Sequence, residues 1–176
     1  DGRFRWQCGD FESVATGYLV GENQFGTMRA DRLDTQKIES RNPGPANWIA
    51  IRRANAQVGY ALSSSGDLYS THQNGRRWEH RAKLALPGGF TPNAMDAHGQ
   101  HLWICGSPGN LILYSGDGGM HWKTQSTGQS LPLQAVHFAS PEQGWAAGAM
   151  GTILHTQNGG FSWQIQRQRR KRAALL

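Results

Sequence analysis

The stretch from Gly144 to Trp163 reads GWAAGAMGTILHTQNGGFSW and decides the fold. An aromatic residue follows a glycine, a short β-prone run follows a second glycine, and an Asn-Gly turn leads to a tryptophan. Three earlier parts of the chain repeat this order, and the copies begin at the aromatic residues Tyr18, Tyr60, Trp103 and Trp145, which are 42, 43 and 42 residues apart. Self-similarity at such a period is typical of repeat architectures.

The turn that ends each copy reads S/T-x-D/N-x-G-x-x-W. The hydroxyl can close the turn, the Asp or Asn can accept backbone N–H groups, and glycine permits positive φ. The tryptophan is expected to bury its ring against its own repeat. In the second copy Gln73 stands at the acidic position, and residues 31–38 of the first copy lack the glycine and the tryptophan. The predicted structural turn residues are Thr71, Gly75, Trp78, Ser115, Asp117, Gly119, Trp122, Thr156, Asn158, Gly160 and Trp163.

Each unit has the length and the turn signals of four short strands. A four-stranded antiparallel unit that repeats every 40–45 residues is the blade of a β-propeller. We therefore predict an all-β fold, with residues 1–176 as one propeller domain or a segment of one. The predicted blades lie at about 4–47, 48–90, 91–132 and 133–170.

Composition supports this fold class and restricts the partners. The chain has 23 glycines, seven tryptophans and only 17% charged residues, which argues against a helical bundle, a coiled coil and a disordered chain. Five of its 18 basic residues lie between Arg167 and Arg172, so residues 167–176 are predicted to form a basic tail. The rest of the chain is nearly neutral, which argues against a nucleic-acid-binding face. No apolar run approaches the ~20 residues of a membrane-spanning helix.

The turn motif resembles the Asp-box, or BNR, repeat of sialidase-type propellers. The fuller pattern from Gly144 to Trp163 is similar to the Ycf48/HCF136-like family of photosystem II stability and assembly factors. The resemblance covers nearly the whole chain. It is closest in the last two repeats and weakest in the first.

The resemblance implies a non-enzymatic, seven-bladed propeller in the periplasm or thylakoid lumen, which binds a membrane-protein complex during assembly. The visible repeats number four and not seven. Three interpretations stay open: a four-bladed ring, an excerpt of a larger propeller, and blades that associate with others in a complex. The alternative function is a glycan-binding or glycoside-hydrolysing, sialidase-like propeller.

Five arginines in the second repeat form the densest basic group outside the tail. Because a guanidinium pairs well with carboxylates, they are predicted to contact an anionic protein partner, although solvated surface arginines are the open alternative. His137 falls on the first strand of the last repeat, where Arg52 and Asp10 hold equivalent places, and is predicted to line the central channel or its mouth. The predicted partner-binding residues are Arg52, Arg53, Arg76, Arg77, Arg81 and His137.

No catalytic residue, metal ligand or cofactor is predicted. A retaining glycosidase needs two carboxylates about 5–5.5 Å apart, and no spacing of acids in this chain indicates such a pair. His98 and His101 form an H-x-x-H pair, but no third ligand is indicated. Cys8 and Cys105 are predicted to be buried free thiols.

Overall fold

The computed structural model describes residues 5–22, 24–38 and 47–166, and the predicted basic tail lies outside them. This part of the chain contains sixteen strands, grouped by sequence order into four antiparallel sheets of four. In the first two sheets the strands are β1 (Trp6–Ser13), β2 (Thr16–Gly21), β3 (Gln24–Arg29) and β4 (Arg32–Lys37), then β5 (Trp48–Arg53), β6 (Gly59–Ser63), β7 (Asp67–Thr71) and β8 (Glu79–Lys83).

In the other two sheets the strands are β9 (Thr91–His98), β10 (His101–Ser107), β11 (Leu111–Ser115) and β12 (Lys123–Ser126), then β13 (Leu133–Phe138), β14 (Gly144–Gly148), β15 (Ile153–Thr156) and β16 (Gln164–Ile165). A single 3₁₀ turn, Ala149–Gly151, joins β14 to β15. Every sheet is a simple meander in which each strand pairs with its neighbour in sequence. The prediction of an all-β chain of four-stranded antiparallel units is confirmed.

Consecutive sheets, called blades from here on, meet through their first strands. β1 packs against β5, β5 against β9, and β9 against β13. No comparable contact joins β13 to β1 within the described residues. The single-domain assignment, the blade limits and the number of blades in a complete ring stay predictions.

The hydrophobic core consists of layers between blades. One cluster joins the first two blades and includes Tyr18, Phe25 and Trp78, and the next joins the second and third blades around Leu68 and Met95. The last cluster joins the third and fourth blades. Since a lone blade would leave these side chains in water, the blades stabilise one another by stacking.

Both cysteines are free, as predicted, but they differ in burial. Cys105 is fully buried, and burial raises the pKa of its thiol to about 12. Cys8 is only half-buried, and its Sγ donates to the Trp48 carbonyl over 3.3 Å. The expectation that both thiols are buried is therefore wrong for Cys8, because no residue of β1 is fully buried.

Asp67 at the start of β7 makes the second blade sensitive to acid. Burial raises the pKa of its carboxyl, but hydrogen bonds from Lys83, Ser65 and His80 outweigh burial and lower it to about 2. The Lys83 Nζ and Ser65 Oγ atoms lie 2.8 and 2.6 Å from Oδ2. Because the folded-state pKa lies below the ~3.9 of an unfolded Asp, the ionised carboxylate stabilises the fold above about pH 4.

We expect this stabilisation to be lost as the pH falls from about 4 through about 2. The free energy of unfolding of the wild type should therefore fall more steeply over that range than that of Asp67→Asn. Urea denaturation followed by circular dichroism at a series of pH values measures the difference. Asp31→Asn in the exposed β3–β4 turn is the matched control and should keep the wild-type slope. Parallel slopes for wild type and Asp67→Asn would contradict the assignment.

Candidate protein-binding surface

One face of the blades carries both the loop between the first and second strands and the turn between the third and fourth. We call the latter the box turns; they span residues 71–78, 115–122 and 156–163. In each blade that has one, the N–H at the fourth position of the box turn donates to the preceding loop. These bonds run from Asn74 to Gln57, Gly118 to Gln100, and Gly159 to Glu142, at 2.8, 2.8 and 2.7 Å. The loops and turns therefore form one continuous surface, the turn face.

The box turns are closed by their own side chains. The Ser115 Oγ accepts the N–H of Gly119 at 2.9 Å, and the Thr71 and Thr156 hydroxyls accept the equivalent N–H groups of Gly75 and Gly160. Asp117 Oδ1 accepts the N–H groups of Met120 and His121 at 3.0 and 2.9 Å. The hydrogen bond from the His121 N–H is the main cause of the lowered pKa of the Asp117 carboxyl. Asn158 Oδ1 accepts the Ser162 N–H in the last blade.

The box tryptophans lie between blades, which corrects the expectation that each packs against its own repeat. Trp78 is nearly fully buried and stacks on Phe25 of the preceding blade, with ring centroids 4.6 Å apart. Trp122 and Trp163 are only partly buried, at the two following blade boundaries. The tryptophans lie between blades, and not against their own repeat, because the box turn reaches across to the neighbouring sheet.

Where the first strands approach the turn face, they carry a row of polar residues. Each member pairs in register with the aromatic residue of the second strand in its blade. These aromatic residues are Tyr18, Tyr60, Trp103 and Trp145. We call this the inner row; its members are Asp10, Arg52, Asp96 and His137.

The two aspartates of the inner row connect neighbouring blades. Asp10 Oδ2 accepts the backbone N–H of Arg53, and Asp96 Oδ2 accepts that of Phe138, each at 2.7 Å. Asp96 is buried, and its carboxylate also lies 3.7 Å from Arg52 Nε and 3.1 Å from His137 Nδ1. The inner row thus alternates acidic with basic side chains, and Asp96 lies between the two basic ones.

Arg52 and Arg53 have different environments although they are neighbours in β5. Arg52 is one-third exposed, and its Nη1 donates to the Ile51 carbonyl at 2.9 Å. The Arg53 side chain is only 10% exposed; it pairs with Glu12 at 2.8 Å and lies over the Tyr18 ring. Arg53 therefore joins the first two blades, and Arg52 is the more accessible group of the pair.

The other predicted partner-binding residues are spread across the turn face. Arg81 Nε donates to the Gly118 carbonyl at 3.2 Å and so joins the second blade to the third. Arg76 and Arg77 are exposed in the box turn and line separate clefts between the first and second blades, and Arg77 pairs with Glu79. His137 is 75% exposed. The structure thus brings Arg52 and His137 together around Asp96 and places the other arginines apart from them.

Asp96 is the member of the inner row that repeat spacing does not reveal. Asp10, Arg52 and His137 each precede their aromatic partner by eight residues, whereas Asp96 precedes Trp103 by seven. With one residue fewer between Asp96 and its aromatic partner, the register pairing with Trp103 becomes apparent only in the sheet.

The described residues contain no group of His, Cys, Asp and Glu that could hold a metal ion. His98 and His101 face each other across the β9–β10 hairpin, where the His101 Nδ1 lies 2.7 Å from the Tyr114 hydroxyl. Within the same part of the chain, no helix is long and apolar enough to cross a membrane.

A family model described as photosynthesis system II assembly factor YCF48 matches residues 28–137, which is more than half of the chain. The chain belongs to the Ycf48 family. The resemblance drawn from the box turns is thereby confirmed.

Curated relatives agree with this assignment. The photosystem II assembly lipoprotein Ycf48 of Synechococcus sp. strain CC9902 is 30% identical over 126 residues, covering 68% of this chain and 36% of the relative. The chloroplastic photosystem II stability/assembly factor HCF136 of Arabidopsis thaliana is 29% identical over 123 residues, covering 66% and 29%. The chain thus spans about a third of the length of the curated relatives it matches.

Solved structures confirm the propeller fold. YCF48 from Cyanidioschyzon merolae superposes with a TM-score of 0.67 at 14% identity, over 96% of this chain and 58% of that one. A structure of YCF48 bound to D1 peptide superposes with a TM-score of 0.57 at 15% identity, over 93% and 82%. Virginiamycin B lyase from Staphylococcus aureus gives 0.73 at 10% identity, over 96% and 57%. At these identities the likeness concerns the fold alone, and the neighbours include enzymes as well as Ycf48 proteins.

Proposed function

We propose that this Ycf48-family chain is a non-catalytic scaffold that binds a polypeptide segment of a membrane-protein complex during its assembly. The observation that carries the proposal is the inner row, which presents Arg52 and His137 side by side on the turn face of a Ycf48-type propeller. The proposed location is extracytoplasmic, in the periplasm or thylakoid lumen, next to the membrane that holds the complex. The relatives named as a lipoprotein and as a chloroplastic factor support this location.

The geometry around Asp96 favours recognition of carboxylate or carbonyl oxygens. The buried carboxylate of Asp96 lies between Arg52 Nε, at 3.7 Å, and His137 Nδ1, at 3.1 Å. The Arg52 guanidinium is also restrained by its bond to the Ile51 carbonyl, so it loses less side-chain entropy when it donates to a ligand. Exposed carboxylates or backbone carbonyls of a bound peptide are the groups that would accept these donors.

The same contacts support a binding role over a catalytic one. Asp10 and Asp96 each accept a backbone N–H of the next inner strand, so both carboxylates already have a structural task. A pair of carboxylates for glycoside hydrolysis would need one group that is a proton donor and a second that faces the substrate. Neither Asp10 nor Asp96 is placed as the proton donor or as the carboxylate that faces the substrate.

The proposal is tested by titrating the chain with the D1 peptide of the YCF48 complex in a calorimeter. Arg52→Ser should weaken binding by roughly tenfold, which corresponds to about 1.4 kcal/mol. Arg32→Ser removes the same charge from a side chain that is 80% exposed and lies on the outer strand of the first blade, outside the inner row. It is the matched control and should bind as the wild type does.

Two results would contradict the proposed function. One is equal binding by Arg52→Ser and the wild type, which would remove Arg52 from the site. The other is the absence of peptide binding by well-folded wild type, together with no recovery of a membrane complex from detergent-solubilised membranes. Binding on a carbohydrate array would then favour the glycan-binding alternative.

A further inference from the structure

His137, at the end of the inner row, has most of its ring in solvent. Its side chain is 75% exposed, and its Nδ1 atom lies 3.1 Å from Asp96 Oδ2. Because Nδ1 faces the buried carboxylate, Nε2 is the ring nitrogen that points away from it. A ligand on the turn face therefore meets His137 through Nε2.

The joint between the third and fourth blades does not depend on His137. Asp96 Oδ2 accepts the backbone N–H of Phe138 at 2.7 Å, and this bond connects the two inner strands. Asp10 accepts the N–H of Arg53 at the same distance between the first two blades, and it forms no ion pair among the described residues. The aspartates thus perform the same structural task with and without an imidazole beside them.

The carboxylate of Asp96 decides which ring nitrogen carries the proton when His137 is neutral. A carboxylate oxygen only accepts, so at 3.1 Å it would repel a lone pair on Nδ1. The proton is therefore on Nδ1, and Nε2 carries the lone pair. In this form Nε2 repels the oxygen of a ligand carboxylate. In the protonated ring both nitrogens donate, so Nε2 then attracts the same oxygen.

Protonation of His137 also changes the net charge of the site. With a neutral ring, the Asp96 carboxylate balances the Arg52 guanidinium, whose Nε lies 3.7 Å away, and the three groups carry no net charge. With a protonated ring, the same groups carry one positive charge. Charge-assisted hydrogen bonds to carboxylates are roughly twice as strong as neutral ones. The protonated site therefore binds a carboxylate more tightly than the neutral site does.

Few other titratable groups lie on the elements that pack against His137. Strand β14 carries none, and those on β9, on β10 and in the loop after β13 are Asp96, His98, His101, Cys105 and Glu142. Arg52 lies on the far side of Asp96. Within the described part of the chain, Asp96 is the only acid in ion-pair contact with His137. His137 thus combines a place in the inner row with the charge change that histidine undergoes between about pH 5 and 8.

We propose that Arg52 and His137 bind a carboxylate of the partner with His137 in its imidazolium form, so that binding tightens as the pH falls. This inference rests on the proposed function and adds the regulation of the same site. Arg52 supplies a charged donor at every pH. His137 supplies a second donor, Nε2–H, together with the added positive charge. Where the free ring is neutral, binding of the carboxylate takes up one proton from solvent onto His137.

The test is calorimetric titration of the chain with the D1 peptide of the YCF48 complex at two pH values. We expect the dissociation constant to fall roughly tenfold from about pH 8 to about pH 5.5. At about pH 7, titrations in buffers of different ionisation enthalpy should show proton uptake, at most about one per peptide bound. His137→Gln cannot gain the charge, so it should lose both the pH dependence and the proton uptake.

His98→Gln is the matched control. His98 is also exposed on the inner strand of its blade, two residues from Asp96, and it has no acid in ion-pair contact among the described residues. This variant should keep the pH dependence and the proton uptake of the wild type. Circular dichroism of each variant at both pH values checks that the fold is retained.

Three outcomes would overturn the proposal. Equal affinity at both pH values without proton uptake would remove the protonation of His137 from binding, and would leave the proposed function intact. Proton uptake that persists in His137→Gln would assign the titration to another group. Absence of peptide binding by well-folded wild type at both pH values would overturn this proposal together with the proposed function.

Discussion

Replacement of Trp103 by alanine is expected to lower the free energy of unfolding by about 4 kcal/mol, because the indole fills the boundary between two blades. The ring is fully buried between the third and fourth blades and stacks on Phe138, with centroids 3.6 Å apart. Loss of a buried Trp leaves a cavity that costs about 3–5 kcal/mol, a large part of the ~5–15 kcal/mol that holds a domain together. Urea denaturation followed by far-ultraviolet circular dichroism measures the change.

Trp145→Ala is the matched control because Trp145 has the same register position one blade later. Its ring is partly exposed and contacts His155 of its own blade. We expect a clearly smaller loss, about 2 kcal/mol, since part of the ring already faces solvent and less buried area is removed. Similar losses for the two variants would show that the aromatic residues act within blades and not between them.

Gly75→Ala is expected to destabilise the chain by about 3 kcal/mol. Gly75 has φ +73°, where a residue with a Cβ is strained by ~1–3 kcal/mol. An added Cβ would also overlap the Thr27 side chain and lie 2.8 Å from the Tyr18 ring, both in the first blade. Overpacking of this kind costs a further ~1–3 kcal/mol. The free energy of unfolding in urea is the measurement.

Gly128→Ala separates the two causes. Gly128 has φ +71°, and a Cβ there would meet no atom within 4 Å. Its loss should therefore reflect backbone strain alone, about 1 kcal/mol. If Gly75→Ala were no more harmful than Gly128→Ala, the close approach of the box turn to the preceding blade would be contradicted.

The inner row shows how far the candidate site could be predicted from the sequence. Arg52 and His137 could be selected because period-2 alternation and the repeat place them on equivalent strands. Their shared partner Asp96 could not, since it precedes Trp103 by seven residues and departs by one from the repeat spacing. The sequence predicts Arg81 as a partner-binding residue; Arg81 is exposed, and the structure adds its bond to the Gly118 carbonyl of the next blade, which the sequence does not reveal.

The sequence by itself determined the blade. Its turns depend on local chemistry: a hydroxyl, a carboxylate or amide, and glycines at positive φ, all within eight residues. Its strands follow from the alternation of apolar and polar residues and from the spacing of the turns. The four-stranded meander and the Ycf48-type repeat could therefore be predicted from the sequence alone.

Only the tertiary structure decided which side of each blade is covered and by what. Arg52 and Arg53 are adjacent in sequence, but one faces Asp96 of the third blade and the other Glu12 of the first. Alternation states that neighbours in a strand point to opposite sides, yet it does not identify what lies on either side. That is set by contacts between residues about 42 positions apart, and for this reason the box tryptophans and Arg53 acquire their roles only when the blades stack.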